Sequence, residues 1–162
     1  MKTPVPILLL FVFTLSASNF LACRSGMRQN VFENPDASHQ ILITGTTSEF
    51  KDIVVAGIVE RYRQACHIEI LPSSRVKRAN FNNYSAIVIM DECRAWMAFN
   101  TRTMELIRKI KDKDRIILFI TAGDPDWQFS TQGIDAITSA SEKGKEGQVI
   151  EKISVRIDDL IK

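Results

Sequence analysis

Cysteine, glycine and proline are all sparse in this chain, at three, seven and five of 162 residues. The cysteines form no CxxC pair and lack the Cys/His spacing of a zinc site, so neither a disulfide scaffold nor structural zinc is expected. Low glycine and proline, with 45% hydrophobic and 25% charged residues, exclude collagen-like and low-complexity sequence. A surplus of one charge is missing too: 21 basic and 19 acidic residues leave a net +2. No stretch gathers enough Lys and Arg to follow a phosphate backbone, so nucleic acid is not expected as a partner. His39 and His67 are the only histidines, and neither has a Ser, Cys or Asp partner at a catalytic spacing. No catalytic residue is therefore assigned, and the length leaves room for one domain.

Long apolar runs are also absent. The longest opens the chain, where Lys2 precedes Val5 to Leu15; its core from Ile7 to Leu15 is nine residues, interrupted only by Thr14. That is about half of the roughly 20 residues needed to cross a bilayer core, so residues 1–22 read as a signal peptide and not as a permanent span. Cys23 follows small Ala22 directly. Phe20-Leu21-Ala22-Cys23 resembles a relaxed bacterial lipobox, with Phe20 where the common pattern has an aliphatic residue. The resemblance implies that Cys23 becomes the acylated first residue of a lipoprotein, bearing diacylglycerol and palmitate-type chains, and two or three such chains make a stable membrane anchor. Removal of residues 1–22 would leave 20 basic and 19 acidic residues, a net +1. Residues 23–39 are polar, without apolar period, and contain Gly26 and Pro35, so they read as a flexible tether.

From Gln40 to Lys162 short apolar runs alternate with 3.6-residue patterns, the signature of a parallel sheet covered by helices. Ile41 to Thr44 is expected as a first buried strand. Gly45 to Ser48 then turns into a helix ending near Ala65, with Phe50, Ile53, Val54, Gly57, Ile58 and Tyr62 on one face and Thr46 and Glu49 at capping-box spacing. His67 to Leu71 alternates and stops at Pro72, which suits an edge strand. Ser73 to Tyr84 is a polar connection, followed by Ala86 to Met90 as a central strand, Thr101 to Lys111 as a helix and Arg115 to Thr121 as the most apolar strand. Ile134 to Thr138 is a weak fifth strand, and Gln148 to Lys162 is a final helix. Only about ten residues separate the fourth and fifth strands, at the lower limit for a crossover, so a reduced connection is expected there.

This order over residues 40–162 resembles the flavodoxin-like fold: an open parallel α/β sheet of five strands in the order 2-1-3-4-5 with helices on both faces. Thr44-Gly45-Thr46-Thr47 stands where flavodoxins carry their phosphate loop, Tyr84-Ser85 leads into the third strand, and Phe119 to Gly123 resembles the fourth strand and its turn. The resemblance implies an FMN site at the carboxyl ends of the strands. Thr44, Gly45, Thr46, Thr47 and Ser48 would take the phosphate at a helix N-terminus. Trp96 and Trp127 would flank the flavin ring, with Gly123 in the loop leading to Trp127. Glu49 and Asp52 compete for the same helix N-terminus, so a capped helix without ligand is the other reading of this loop. Asp135 to Ser141 also resembles, incompletely, the sequence on which exported flavoproteins accept FMN covalently; Ser139 replaces its Gly and Ser141 its Thr.

Asp91 and Glu92 follow the third strand, yet a phosphoacceptor receiver would need acidic residues after the first strand, where Thr44-Gly45 stands. Cys66 and Cys93 fall at opposite edges of the sheet, too far apart to pair. The leading expectation is thus an extracytoplasmic lipoprotein of the cell envelope, bound to a bacterial membrane by its lipid, that holds FMN and passes electrons to an envelope redox partner. The alternative is a flavin-free lipoprotein acting as a binding or assembly module of an envelope complex. The near-neutral charge departs from the acidic surface of mobile electron carriers.

Overall fold

A computed structural model describes residues 26–93, 101–124 and 126–162. Among the described residues there are eight strands: β1 (Asn30–Phe32), β2 (His39–Gly45), β3 (Cys66–Pro72), β4 (Ala86–Glu92), β5 (Ile116–Thr121), β6 (Ser130–Thr131), β7 (Ile134–Asp135) and β8 (Ile137–Ser139). Three helices accompany them: α1 (Glu49–Tyr62), α2 (Thr101–Lys109) and α3 (Glu146–Leu160). The main sheet has six strands in the order β1-β3-β2-β4-β5-β8, and β6 and β7 form a separate hairpin. All neighbours in the main sheet are parallel except β1, which runs antiparallel to β3. The architecture is an α/β flavodoxin-like fold with a mostly parallel sheet.

Strands buried on both faces need apolar residues at successive positions, and β2, β4 and β5 supply them. Ile41, Ile43, Val88, Met90, Ile117 and Phe119 point to one side, where α1 and α3 cover them. Leu42, Ile87, Ile89, Leu118 and Ile120 point to the other, under Leu106 and Ile107 of α2 and the turns around Val76 and Tyr84. On the first side α1 and α3 come close because Gly57 has no side chain: a Cβ there would lie 2.4 Å from Ile150 Cδ1.

The sheet differs from the five-stranded expectation at both margins. Residues 23–39 were expected as a flexible tether, yet their described part belongs to the domain: Met27 is buried and Phe32 packs against the first layer. Asn30–Phe32 pairs with Ile68 to Ile70. Pairing with β3, and not its own weak propensity, orders this segment. As a result β3 is not an edge strand. The expected fifth strand is broken at Ala136; Ile134–Asp135 turns back on Ser130–Thr131, and Ile137–Ser139 joins β5. Gln132 and Gly133 both have positive φ, 50° and 81°, the pattern of a two-residue hairpin turn. That hairpin replaces the crossover helix for which the chain is too short.

Two details of α1 also depart from expectation. Its cap is Ser48, whose hydroxyl accepts from the Lys51 backbone N–H, in place of a Thr46–Glu49 box. Ile53 is exposed, while Lys51 is buried.

Gly45 and Tyr62 give the fold two testable seams. Gly45 has φ +129°, and a Cβ on it would lie 1.9 Å from the Met90 carbonyl oxygen. Gly45→Ala should therefore cost about 3 kcal/mol or more in urea unfolding, whereas Gly123→Ala, which meets nothing within 4 Å, should change stability by less than about 1 kcal/mol. The Tyr62 hydroxyl donates to the Asp158 carboxylate at 2.6 Å and lies 3.0 Å from the Ser154 carbonyl, joining α1 to α3. Burial, followed by the bond to Asp158, pushes its pKa up to about 12. The folded state thus favours the protonated phenol: this stabilisation is whole below about pH 10 and is lost as pH rises towards 12. Tyr62→Phe should remove roughly 2 kcal/mol of the alkaline loss between those limits, measured by denaturation at each pH.

Candidate functional site

The first loop of the site is built by a close seam between β2 and β4. Gly45 pairs with Met90 at the ends of the two strands, and the Thr46 backbone N–H donates to the Met90 carbonyl at 2.8 Å. The chain then enters α1 through Thr47 and Ser48. A cleft of about 620 Å³ lies over this loop. Gly45 to Ser48 form one wall, Ser73 and Ser74 after β3 another, and Glu92, Thr101 and Arg102 a third; Gly26 and Met27 stand at the rim. This is the carboxyl edge where open α/β sheets bind ligands.

The hydroxyls expected to hold a phosphate have partners within the chain, Thr44 and Thr47 as donors and Ser48 as an acceptor. Thr44 is fully buried, and its Oγ1 donates to the Leu71 carbonyl at 2.7 Å. Thr46 Oγ1 accepts from Lys51 Nζ at 2.6 Å and lies 3.4 Å from the Met90 carbonyl. The Thr47 hydroxyl donates to the Asp52 carboxylate, and Ser48 caps α1. The helix N-terminus at this loop is capped from within the chain by Ser48. Carboxylates at Glu49 and Asp52 in the first turn add repulsion towards a dianion.

Trp127 does not face the cleft over this loop. It stacks on Phe129, with ring centroids 5.4 Å apart and planes at 16°, and packs against the second apolar layer. Gly123 is exposed after β5. Trp96 lies outside the described residues, as does Cys23. Tested on these residues, FMN would find Thr44 and Thr47 with their hydroxyl hydrogens committed to Leu71 and Asp52. Ser48 only accepts and keeps its own hydrogen to donate, and Trp127 is not among the residues lining this cleft. Ser141, with φ 59°, borders a separate pocket of about 390 Å³ beside Ser48 and Glu92.

Four residues escaped the sequence reading: Lys51, Arg102, Ser73 and Ser74. Lys51 is the most informative, since it is three residues before Val54 and seven before Ile58, on the buried stripe of α1; a lysine at such a position is a legible anomaly. Its side chain is fully buried under the loop. Arg102 lies in the first turn of α2, where nothing in the helical period marks it. Ser73 and Ser74 sit in a connection read only as polar. Asp91, also fully buried, accepts from the Glu92 N–H at 2.9 Å, and its own carbonyl lies 3.5 Å from Thr121 Oγ1. Among the described residues no group of three or more His, Cys, Asp or Glu is arranged to hold a metal ion.

No family model and no curated protein matches the chain. Solved structures resemble it weakly. Oxidised Flavodoxin 1 from Bacillus cereus is 10% identical with a TM-score of 0.48, over 75% of this chain and 98% of that one. A flavodoxin from the domain Archaea is 7% identical with a TM-score of 0.47, over 75% and 98%. A Fusobacterium nucleatum flavodoxin bound to flavin mononucleotide is 14% identical with a TM-score of 0.43, over 76% and 94%. At these values what the site does follows from its own residues.

Cys66 and Cys93 are free. Cys66 is buried at the start of β3, and burial pushes its thiol pKa up; Cys93 is half-buried just beyond β4. In Ellman titration Cys93 should react in the folded protein and Cys66 only on denaturation. Peptide mapping that recovers a Cys66–Cys93 disulfide would contradict the strand order.

Proposed function

We propose that this chain is a lipoprotein of the bacterial cell envelope, anchored through Cys23 on the extracytoplasmic face, whose flavodoxin-like domain serves as a flavin-free binding or assembly module. The observation that carries the reading is the closure of the first loop: Thr44, Thr46, Thr47 and Ser48 each engage a partner inside the chain. A phosphate would have to displace Asp52 from Thr47 and compete with Glu49. The position of Trp127 against Phe129 speaks in the same direction. Fold alone fixes none of this, because one architecture serves many roles.

The second reading, FMN binding and electron transfer to an envelope partner, is favoured by the open cleft over the loop, which has Arg102 on its wall. In it the protein would bind and tune the flavin while the ring carried the redox chemistry. Fluorescence titration separates the two. The module reading expects no quenching of FMN at tens of micromolar, roughly the −6 kcal/mol range; quenching below that concentration, with FMN held more tightly than riboflavin, would restore the flavodoxin role and a phosphate at Gly45 to Ser48.

The anchor has its own check. Cys23→Ala should leave the precursor unprocessed or release the domain from membranes. Mass spectrometry that finds an unmodified Cys23 in a membrane-free mature protein would remove the lipoprotein reading.

A further inference from the structure

We infer that the cleft edge of the domain is held against the bilayer, with its basic rim on the headgroups of anionic phospholipids. This rests on the acylated Cys23 of the proposed function, and it replaces the picture of a domain hanging on a loose tether.

Met27 is buried in the first apolar layer and Asn30–Phe32 is fixed to β3. Four residue steps separate Cys23 from Met27, and fully extended they span at most about 14 Å. A compact domain of this size has a radius of gyration of about 14 Å and hence a diameter of roughly 35–40 Å. Only the surface around Met27 can therefore approach an anchor at Cys23. Gly26 and Met27 form the rim of the cleft over Gly45 to Ser48, so that surface is the carboxyl edge of the sheet.

Charge points the same way. Arg102 lines the cleft together with Glu92. Lys77 and Lys109 line the adjoining pocket with Glu105, which pairs with Lys77 at 3.6 Å. Arg28 follows Met27 directly, and Arg75 donates to Gln29. These five basic and two acidic residues give the β1 and α2 side of the cleft a net +3; Glu49 and Asp52 on the α1 side bring the whole edge to +1, so the basic groups are gathered on the side nearest Met27. Arg24, next to the anchor, adds a further positive charge in sequence. A basic rim beside a lipid anchor is what an anionic bilayer surface attracts.

The acylated full chain, reconstituted into vesicles bearing nitroxide-labelled headgroups, tests the orientation. A fluorophore is placed at Ser74→Cys on the cleft edge or at Asp114→Cys at the opposite edge, each in a Cys93→Ala background. The expected result is several-fold stronger quenching at position 74 than at 114. It should rise when phosphatidylglycerol is added to phosphatidylcholine and fall in 0.5 M salt. Equal quenching at the two positions overturns the orientation, and equal quenching at position 74 in the two lipids overturns headgroup recognition. Protein that never associates with the vesicles and carries an unmodified Cys23 instead defeats the anchor reading.

Discussion

A lysine enclosed under the first loop at the carboxyl end of the sheet sets the terms for everything around it. Burying an amine is costly unless its hydrogens find acceptors, and Lys51 finds one in Thr46 Oγ1. That bond ties the first turn of α1 to the residue leaving β2. The backbone of the same residue is tied to Met90, and the residue before it can only be glycine. The loop is thereby fixed from the helix side and from the sheet side at once. A loop held this way has Thr47 bonded to Asp52 and Thr46 to Lys51 before any ligand arrives, which is the ground for the proposed flavin-free reading.

The same edge receives the amino-terminal segment. Without Asn30–Phe32 on β3, the residues after Cys23 would swing freely and the domain could turn any face to a membrane. With it, Gly26 and Met27 are fixed beside the cleft, and an anchor at Cys23, as proposed, would bring that side of the molecule to a membrane. Under that proposal, sheet pairing at one margin decides which surface would meet the bilayer.

Much of the layered architecture was legible because buried parallel strands and amphipathic helices write their periods plainly: Ala86 to Met90 and Arg115 to Thr121 could be little else. What escaped depended on partners distant in sequence. Asn30–Phe32 is polar at one end and only three residues long; it is a strand because β3 offers an edge. The break at Ala136 follows from a turn at Gln132 and Gly133 that lets six residues fold on themselves. In the site, the loop Gly45 to Ser48 was locatable from its place after the first strand, but its state was not, since the decisive contacts come from Lys51, Asp52, Leu71 and Met90. Trp127 was read as a ring clamp from its loop position, while its neighbour Phe129 supplies the ring it stacks on.

The bond between Lys51 and Thr46 ties α1 to the residue leaving β2. A double-mutant cycle with Lys51→Met and Thr46→Val, read by urea unfolding of the two single variants and the double variant, isolates it. A buried bond of this charge-assisted kind predicts a coupling energy of about 1.5–3 kcal/mol, with the double variant less destabilised than the sum of the singles. Additive losses within about 0.5 kcal/mol would mean that Lys51 does not hold the loop, and the case for a closed, flavin-free site would lose its foundation.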